Sequence, residues 1–456
     1  MWVIASRVRK RERRRRFLVN ACAKRNLTEQ NLARALPGRF VLAVIVGGVI
    51  GLGILRGPGE IAKVVTEPSL YLALWLLGGL FVLLSTAVTA ELVGMTPRSG
   101  GAYSLIRRAY GPYAGFIIGW ADWLSFAADL ALKAVVIMEF VAILFPESAA
   151  WSTRLAIIVT TVFAAIQLRG ISLSALIQEF ATSLIGLAIV VLSLVLFFVE
   201  VPLSSATKII PANNALSDWS LVIATIIFTY DGWLYASYFS GEIRGGAGAA
   251  ARSCIKGVIL VIALYMLLNV ALVKSTGLAA LAGSDLALAH ALELATFPAA
   301  GSIIVIAAIL ILLSHQNLEY MGGPRILQAL AVDGLAMQRA QKIGKGGNPV
   351  FAIVITWLLA VGLILIGGFE FLLVLVVFFF VPIYLAMIVG VLILRRREPD
   401  GERPYRAWGH PYSTSVCLIG WTIVTLFQAY VERETALYAV AMVAVSWPVY
   451  RYLSRK

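Results

Sequence analysis

Apolar residues run without alternation over most of this chain, in stretches near 40–65, 70–94, 112–144, 154–168, 176–200 and 217–240. They continue near 255–275, 300–323, 350–367, 371–394, 413–430 and 435–453. Such runs are too long for strands and suit the roughly 20 residues that a helix needs to cross a bilayer. In lipid an open segment must satisfy its own backbone hydrogen bonds, which selects helix. The pattern predicts an all-α polytopic membrane protein with twelve transmembrane helices.

Composition agrees. The 456 residues are 60% hydrophobic and 14% charged, with mean hydropathy +0.88, against roughly 45–50% and 25% in soluble domains. A soluble enzyme and a disordered polymer are both excluded. The net charge of +14 would suit a nucleic-acid partner only on a soluble basic face, and here the basic residues sit between apolar runs. With the N-terminus placed in the cytoplasm, 31 of the 38 Lys and Arg residues fall on that side. The positive-inside rule then predicts that both termini are cytoplasmic. Cys22, Cys254 and Cys417 are too few and too scattered for a disulfide framework or a metal site. No early apolar run is followed by a small-residue cleavage site, so residues 1–39 read as a basic cytoplasmic tail. Its Arg7–Arg16 run is a topology signal, with anionic lipid as a second reading.

Two spans carry residues unsuited to a continuous helix. The first contains Gly47, Gly48, Gly51 and Gly53, followed by Gly57-Pro58-Gly59, and each interior glycine costs about 1 kcal/mol of helix stability. The sixth contains Phe228-Thr229-Tyr230-Asp231-Gly232-Trp233, an acid and a glycine in mid-span. Gly47 and Gly51 alone would also fit close helix packing, but matching breaks in two halves of a chain point to a transport site. Spans 1 and 6 are five apart, so a second five-helix unit would start from the opposite face. The expected organisation is a first repeat over 40–200, an inverted second repeat over 217–394, and two appended helices over 413–453. Unwound backbone offers N–H groups to a carboxylate and carbonyls to an ammonium, which suits an α-amino acid.

These residues resemble the amino acid–polyamine–organocation superfamily of transporters over about residues 40–400. Gly48-Val-Ile-Gly-Leu-Gly-Ile-Leu with Pro58-Gly59 is similar to its first-helix motif. Glu91 with Pro97-Arg98-Ser99-Gly100-Gly101-Ala102-Tyr103 and Arg108-Ala-Tyr-Gly-Pro looks like its helix 2–3 loop. Phe228-Thr-Tyr-Asp-Gly-Trp with Glu242-Ile243 resembles the sixth-helix motif of L-type and bacterial permeases, and Pro324-Arg325 with Asp333-Gly334 the end of helix 8. The resemblance implies a LeuT-like 5+5 inverted-repeat fold and alternating access. It implies a substrate carboxylate at the amides of Gly51, Leu52 and Gly53, and an ammonium at the carbonyls of Val49, Phe228 and Asp231. Thr229, Tyr230, Gly232 and Trp233 complete the second break, Phe228 is the expected gate, and Ser125 and Phe126 the side-chain pocket. Asp122 falls where relatives often carry an acid. Leu52 and Gly241 depart from the family pattern, and Ile185 stands where some relatives place a lysine that substitutes for sodium.

A proton or a sodium ion is the expected coupling partner, the choice left open. His315 and Glu319, four apart on one helix face, are candidates for proton handling or a satisfied polar pair. Asp129 and Lys133 read as an intramembrane ion pair. Glu91, Glu242 and Arg108 fit either gate salt bridges or interfacial charges. An embedded enzyme would need ligand clusters that His290, His315 and His410 do not form, and no channel filter is visible. The expectation is a secondary amino acid transporter of the plasma (inner) membrane, with a small-molecule substrate, the lipid bilayer as surroundings, no nucleic acid, no cofactor and no metal. An apolar pocket of Leu52, Ser125, Phe126, Phe228 and Trp233 leans toward neutral amino acids, with a polyamine or cationic amino acid as the alternative.

Overall fold

A computed structural model describes residues 36–96, 98–199, 216–284, 286–295, 300–367, 369–431 and 433–454. Its regular elements are helices: α1 (Gly38–Val49), α2 (Leu52–Val64), α3 (Pro68–Met95), α4 (Gly101–Tyr110), α5 (Pro112–Leu144), α6 (Ser152–Arg169), α7 (Ile171–Phe198) and α8 (Leu216–Thr229). There follow α9 (Gly246–Ser275), α10 (Gly277–Leu281), α11 (Ala287–Ala295), α12 (Ala300–Val332), α13 (Val350–Ile366), α14 (Phe369–Arg397), α15 (Tyr412–Val431) and α16 (Arg433–Ser454). Among the described residues, eight helices are long and apolar enough to cross a membrane, counting Gly38–Val64 as one. The described residues are therefore all-helical, with the apolar spans of a membrane-integral protein. The 33-residue α5 falls outside that count, and it carries Asp122, Asp129 and Lys133 in its interior.

The expected boundaries moved where local chemistry outlasts the apolar run. The run 300–323 continues as α12 to Val332, through Pro324. A proline leaves a carbonyl of the preceding turn unserved, and such interruptions persist in membrane helices when neighbours supply donors. Here the unserved carbonyl is that of Tyr320, and in the same turn the Arg325 guanidinium donates to the neighbouring Met321 carbonyl. The loop expected around Gly100-Gly101 contains the ten-residue α4, entered through Gly100 (φ 119°) and left through Gly111 (φ 107°). Pro97 and the tail 1–35 lie outside the described residues. α10 and α11 had no counterpart among the expected spans.

α5 and α12 lie along each other at the centre, with α1, α4, α7, α13 and α14 packed around them. Large apolar side chains such as Leu176, Phe180, Leu187, Ile419 and Leu426 face outward, the placement a lipid solvent requires. Polar groups are gathered inside. Ser125, Asn269, Gln316, Asn317 and Glu319 are almost fully buried, and such groups persist in an apolar interior only with partners.

Candidate functional site

The first glycine-rich span is two helices, not one. α1 stops at Val49, Ile50 is extended (φ −74°, ψ 93°), and α2 begins after Gly51. The freed carbonyls are served from other helices: Tyr265 Oη donates to Val49 O at 2.8 Å, and His315 Nε2 lies 3.0 Å from Ile50 O. The second break follows α8 as turns through residues 230–234 and a 3-10 helix, Tyr235–Phe239. Tyr265 Oη also lies 3.1 Å from Thr229 O, so one hydroxyl bridges both breaks. Gly232 (φ 104°) lets the two breaks touch, since a Cβ there would stand 2.5 Å from Gly48 O. Likewise a Cβ on Gly53 would stand 2.6 Å from Thr229 Cα.

Behind the breaks the two i,i+4 pairs read from the sequence merge into one cluster. Lys133 Nζ lies 2.5 Å from Asp129 Oδ2, 2.8 Å from Glu319 Oε1 and 2.9 Å from His315 Nδ1. Tyr235 donates to the same Glu319 oxygen. Ammonium only donates and carbonyl only accepts. The tautomer that satisfies both contacts of His315 therefore carries its proton on Nε2, given to Ile50 O, and accepts from Lys133 at Nδ1. The cluster thereby reaches the unwound backbone of the first break.

A small cavity of about 20 Å³ lies beside it, walled by Asp122, Ser125 and Phe126 of α5, by Asp231, Gly232, Tyr235 and Tyr238 of the second break, and by Asp129, Glu319, Phe380 and Tyr384 among others. Tyr238 Oη engages both carboxylate oxygens of Asp122, at 2.9 and 3.1 Å. Ser125 Oγ is turned to the Asp122 carbonyl at 2.8 Å, and Phe126 packs edge-on to Tyr238 at 4.9 Å. Two carboxylate oxygens on this wall, Asp129 Oδ1 and Asp231 Oδ1, are buried without a hydrogen-bond partner among the described residues.

The remaining sequence-derived site residues lie elsewhere. Phe228 faces an adjoining space with Asp231. Tyr230 is turned away, donating to Trp75 O at 3.0 Å, and Trp233 packs on Tyr384 at 5.0 Å. Thr229 is spent on the Thr225 carbonyl at 2.6 Å. Val49 and Gly53 meet the second break at Gly232 and Thr229, and Gly51 abuts the His315 ring, so none of the three walls the cavity. His315 stands behind the wall, and the side chain of Leu52 lies outside the described residues. Sequence reasoning missed Tyr235 and Tyr238. Three residues apart, they eclipse in a 3-10 helix, so a Tyr-x-x-Tyr directly after the break was the available signal.

One end of the cavity region is tied by ions. Arg325 grips Glu242 at 2.6 and 3.1 Å and Asn348 at 3.1 Å, with both charged side chains at most 2% exposed. Removing one partner of a buried pair costs about 3–5 kcal/mol, whereas replacing both by apolar groups is often neutral. Arg325→Met should therefore lower the thermal denaturation midpoint in detergent, and Arg325→Met/Glu242→Leu should recover part of the loss. Equal midpoints for wild type and the single variant would refute the assignment. Asp333 is held similarly by Arg98 at 2.9 Å, by Tyr103 at 2.6 Å and by Arg107.

A protein-family profile described as "Amino acid permease" matches residues 40–447. The serine/threonine exchanger SteT of Bacillus subtilis is 25% identical over 86% of this chain and 91% of its own length. The gamma-aminobutyric acid permease of the same species is 26% identical, over 72% and 71%. The polyamine transporter PUT1 of Oryza sativa is 25% identical, over 81% and 70%.

Proposed function

The chain belongs to the amino acid permease family within the amino acid–polyamine–organocation superfamily, and from that premise we propose a secondary carrier that moves an amine-bearing cation across the plasma membrane by alternating access. Its family makes it a transporter of small molecules rather than an enzyme. The finer reading is ours: twelve spans arranged as inverted repeats over 40–200 and 217–394, helices 413–453 appended, and both termini cytoplasmic with the 1–39 tail.

The observation that carries the substrate class is Asp231 on the cavity wall, whose buried Oδ1 has no hydrogen-bond partner among the described residues, whereas the Asp129 carboxylate is already paired to Lys133 through Oδ2. An isolated buried carboxylate is costly, and a cation is the partner that offsets it. Of the four carboxylates on that wall, Lys133 engages only Asp129 and Glu319. A cationic amino acid or a polyamine fits this charge pattern better than the neutral substrate the apolar sequence motifs favoured. A neutral amino acid is the second reading, favoured by the likeness to the serine/threonine exchanger.

Reconstituted into liposomes, the protein should take up labelled lysine or a labelled diamine, and Asp231→Asn should raise the KM by roughly 10- to 100-fold, the loss of one charge-assisted hydrogen bond. An unchanged KM in that variant would remove Asp231 from the binding site.

A further inference from the structure

The loop that follows α14, residues 398–411, is staked to α3 by one acid. Buried Glu91 accepts from Arg395 at 2.9 and 2.5 Å, from Arg403 at 3.2 Å and from the Ala407 amide at 2.8 Å. The strip 404–406 is thereby pinned on both sides, and it lies against α9. A Cβ on Gly248 would stand 2.8 Å from Pro404 Cβ and 3.7 Å from Arg252 Nη1, and Tyr405 packs on the cluster of Ala90, Ala251 and Ile255. The crossing therefore brings Arg406 into the neighbourhood of Arg252, with Lys256 one turn further along the same face of α9. All three side chains are exposed. Arg395 and Arg403 are neutralised by Glu91, whereas Arg252, Lys256 and Arg406 meet no acid among the described residues.

Their depth is set by the helix itself. Between Lys256 and Lys274, α9 rises about 27 Å, close to the roughly 30 Å of a hydrocarbon core. Lys256 therefore sits at one border of the core, and Arg252 about 6 Å outside it, at headgroup level. Beyond Lys256 the helix turns Ile259 and Leu260 outward. Trp408 and Tyr412, at the start of α15, are exposed beside the same loop, the placement of aromatic residues at a membrane–water interface.

We propose that Arg252, Lys256 and Arg406 hold the phosphate of an anionic phospholipid, whose acyl chains run along Ile259 and Leu260. A lipid of net negative charge fits three unpaired cations, while a zwitterionic one brings a further cation of its own. The bound lipid ties α9 to the loop and, through Glu91, to α3 and α14. This site lies apart from the cavity and is independent of the substrate class.

Each basic residue at a charged lipid surface strengthens binding by about fivefold. The full-length chain in uncharged detergent, titrated with phosphatidylglycerol and with phosphatidylcholine and followed by thermal shift, tests the site. Detergent exposes both faces of the protein, so the result does not depend on which one is cytoplasmic. The wild type should bind phosphatidylglycerol at least tenfold tighter (~10-fold) than phosphatidylcholine. Arg252→Gln/Lys256→Gln should weaken phosphatidylglycerol binding about 25-fold, and Arg406→Gln about fivefold should the double variant fail to fold. Arg339→Gln/Lys342→Gln removes the same charge from another exposed loop and should leave binding unchanged. Equal binding of the two lipids by the wild type, or an equal loss in that control variant, overturns the site in favour of diffuse surface attraction. Stabilisation by inorganic phosphate that matches the lipid's overturns the lipid as occupant in favour of a free anion.

Discussion

Lys133→Met is expected to yield a protein that loses most of its folded fraction in detergent. The ammonium is the shared partner of Asp129 Oδ2 and Glu319 Oε1 and donates to His315 Nδ1. Its removal leaves two buried carboxylates without a cation, and breaking even one buried pair costs about 3–5 kcal/mol. Total stabilities of domains are only about 5–15 kcal/mol. The damage also spreads to the first break. His315 accepts from Lys133 on one nitrogen and serves Ile50 O with the other, so the ring that holds the unwound backbone loses its anchor. Neutralising the stranded acids should repair part of the loss, making Lys133→Met/Asp129→Asn/Glu319→Gln more stable than the single variant. Size-exclusion profiles and denaturation midpoints measure both. A single variant as stable as wild type would mean that the cluster is not an ion-paired unit.

Gly232→Ala is expected to abolish transport while leaving the distant helices intact. The residue sits at φ 104°, a region that L side chains avoid at a cost of order 1–3 kcal/mol. The added Cβ would meet Gly48 O at 2.5 Å, backbone that belongs to the other break. The clash cannot be relieved by turning a side chain, so the two breaks must separate. That separation moves Asp231 and Tyr235, the neighbours that wall the cavity. Uptake should fall below a tenth of wild type with helical content by circular dichroism unchanged. Uptake near the wild-type rate would show that contact between the breaks is not required.

Much of the frame was legible because its signals are local. The run 112–144 is bounded by Gly111-Pro112 before it and Pro146 just after it, and it became α5 with those limits. The glycine string of the first span and the Asp-Gly of the sixth both marked real interruptions. The site was legible only in parts. Asp129 with Lys133, and His315 with Glu319, are each visible at i,i+4 spacing. Their meeting joins positions more than 180 residues apart, which only tertiary packing decides. The directions of side chains within a break were also hidden. Tyr230 still follows the register of α8 and turns to Trp75, and after Gly232 adopts a positive φ that register is lost and Trp233 packs on Tyr384. Tyr235 and Tyr238 took the cavity wall instead. The expectation of a neutral substrate rests on the apolar to aromatic character of Leu52, Ser125, Phe126, Phe228 and Trp233, while the acids that reach the cavity are spread over α5, the second break and α12.

The central claim is that the carboxylates of this cavity recognise an organic cation. Thermal-shift screening of the full-length protein against lysine, a short diamine and amino acids with uncharged side chains tests it most directly. A ligand at 100 times its Kd stabilises the folded state by about 2.7 kcal/mol. The account predicts stabilisation by the cations, lost in Asp231→Asn. Stabilisation by an uncharged-side-chain amino acid alone, undiminished in Asp231→Asn, would contradict it.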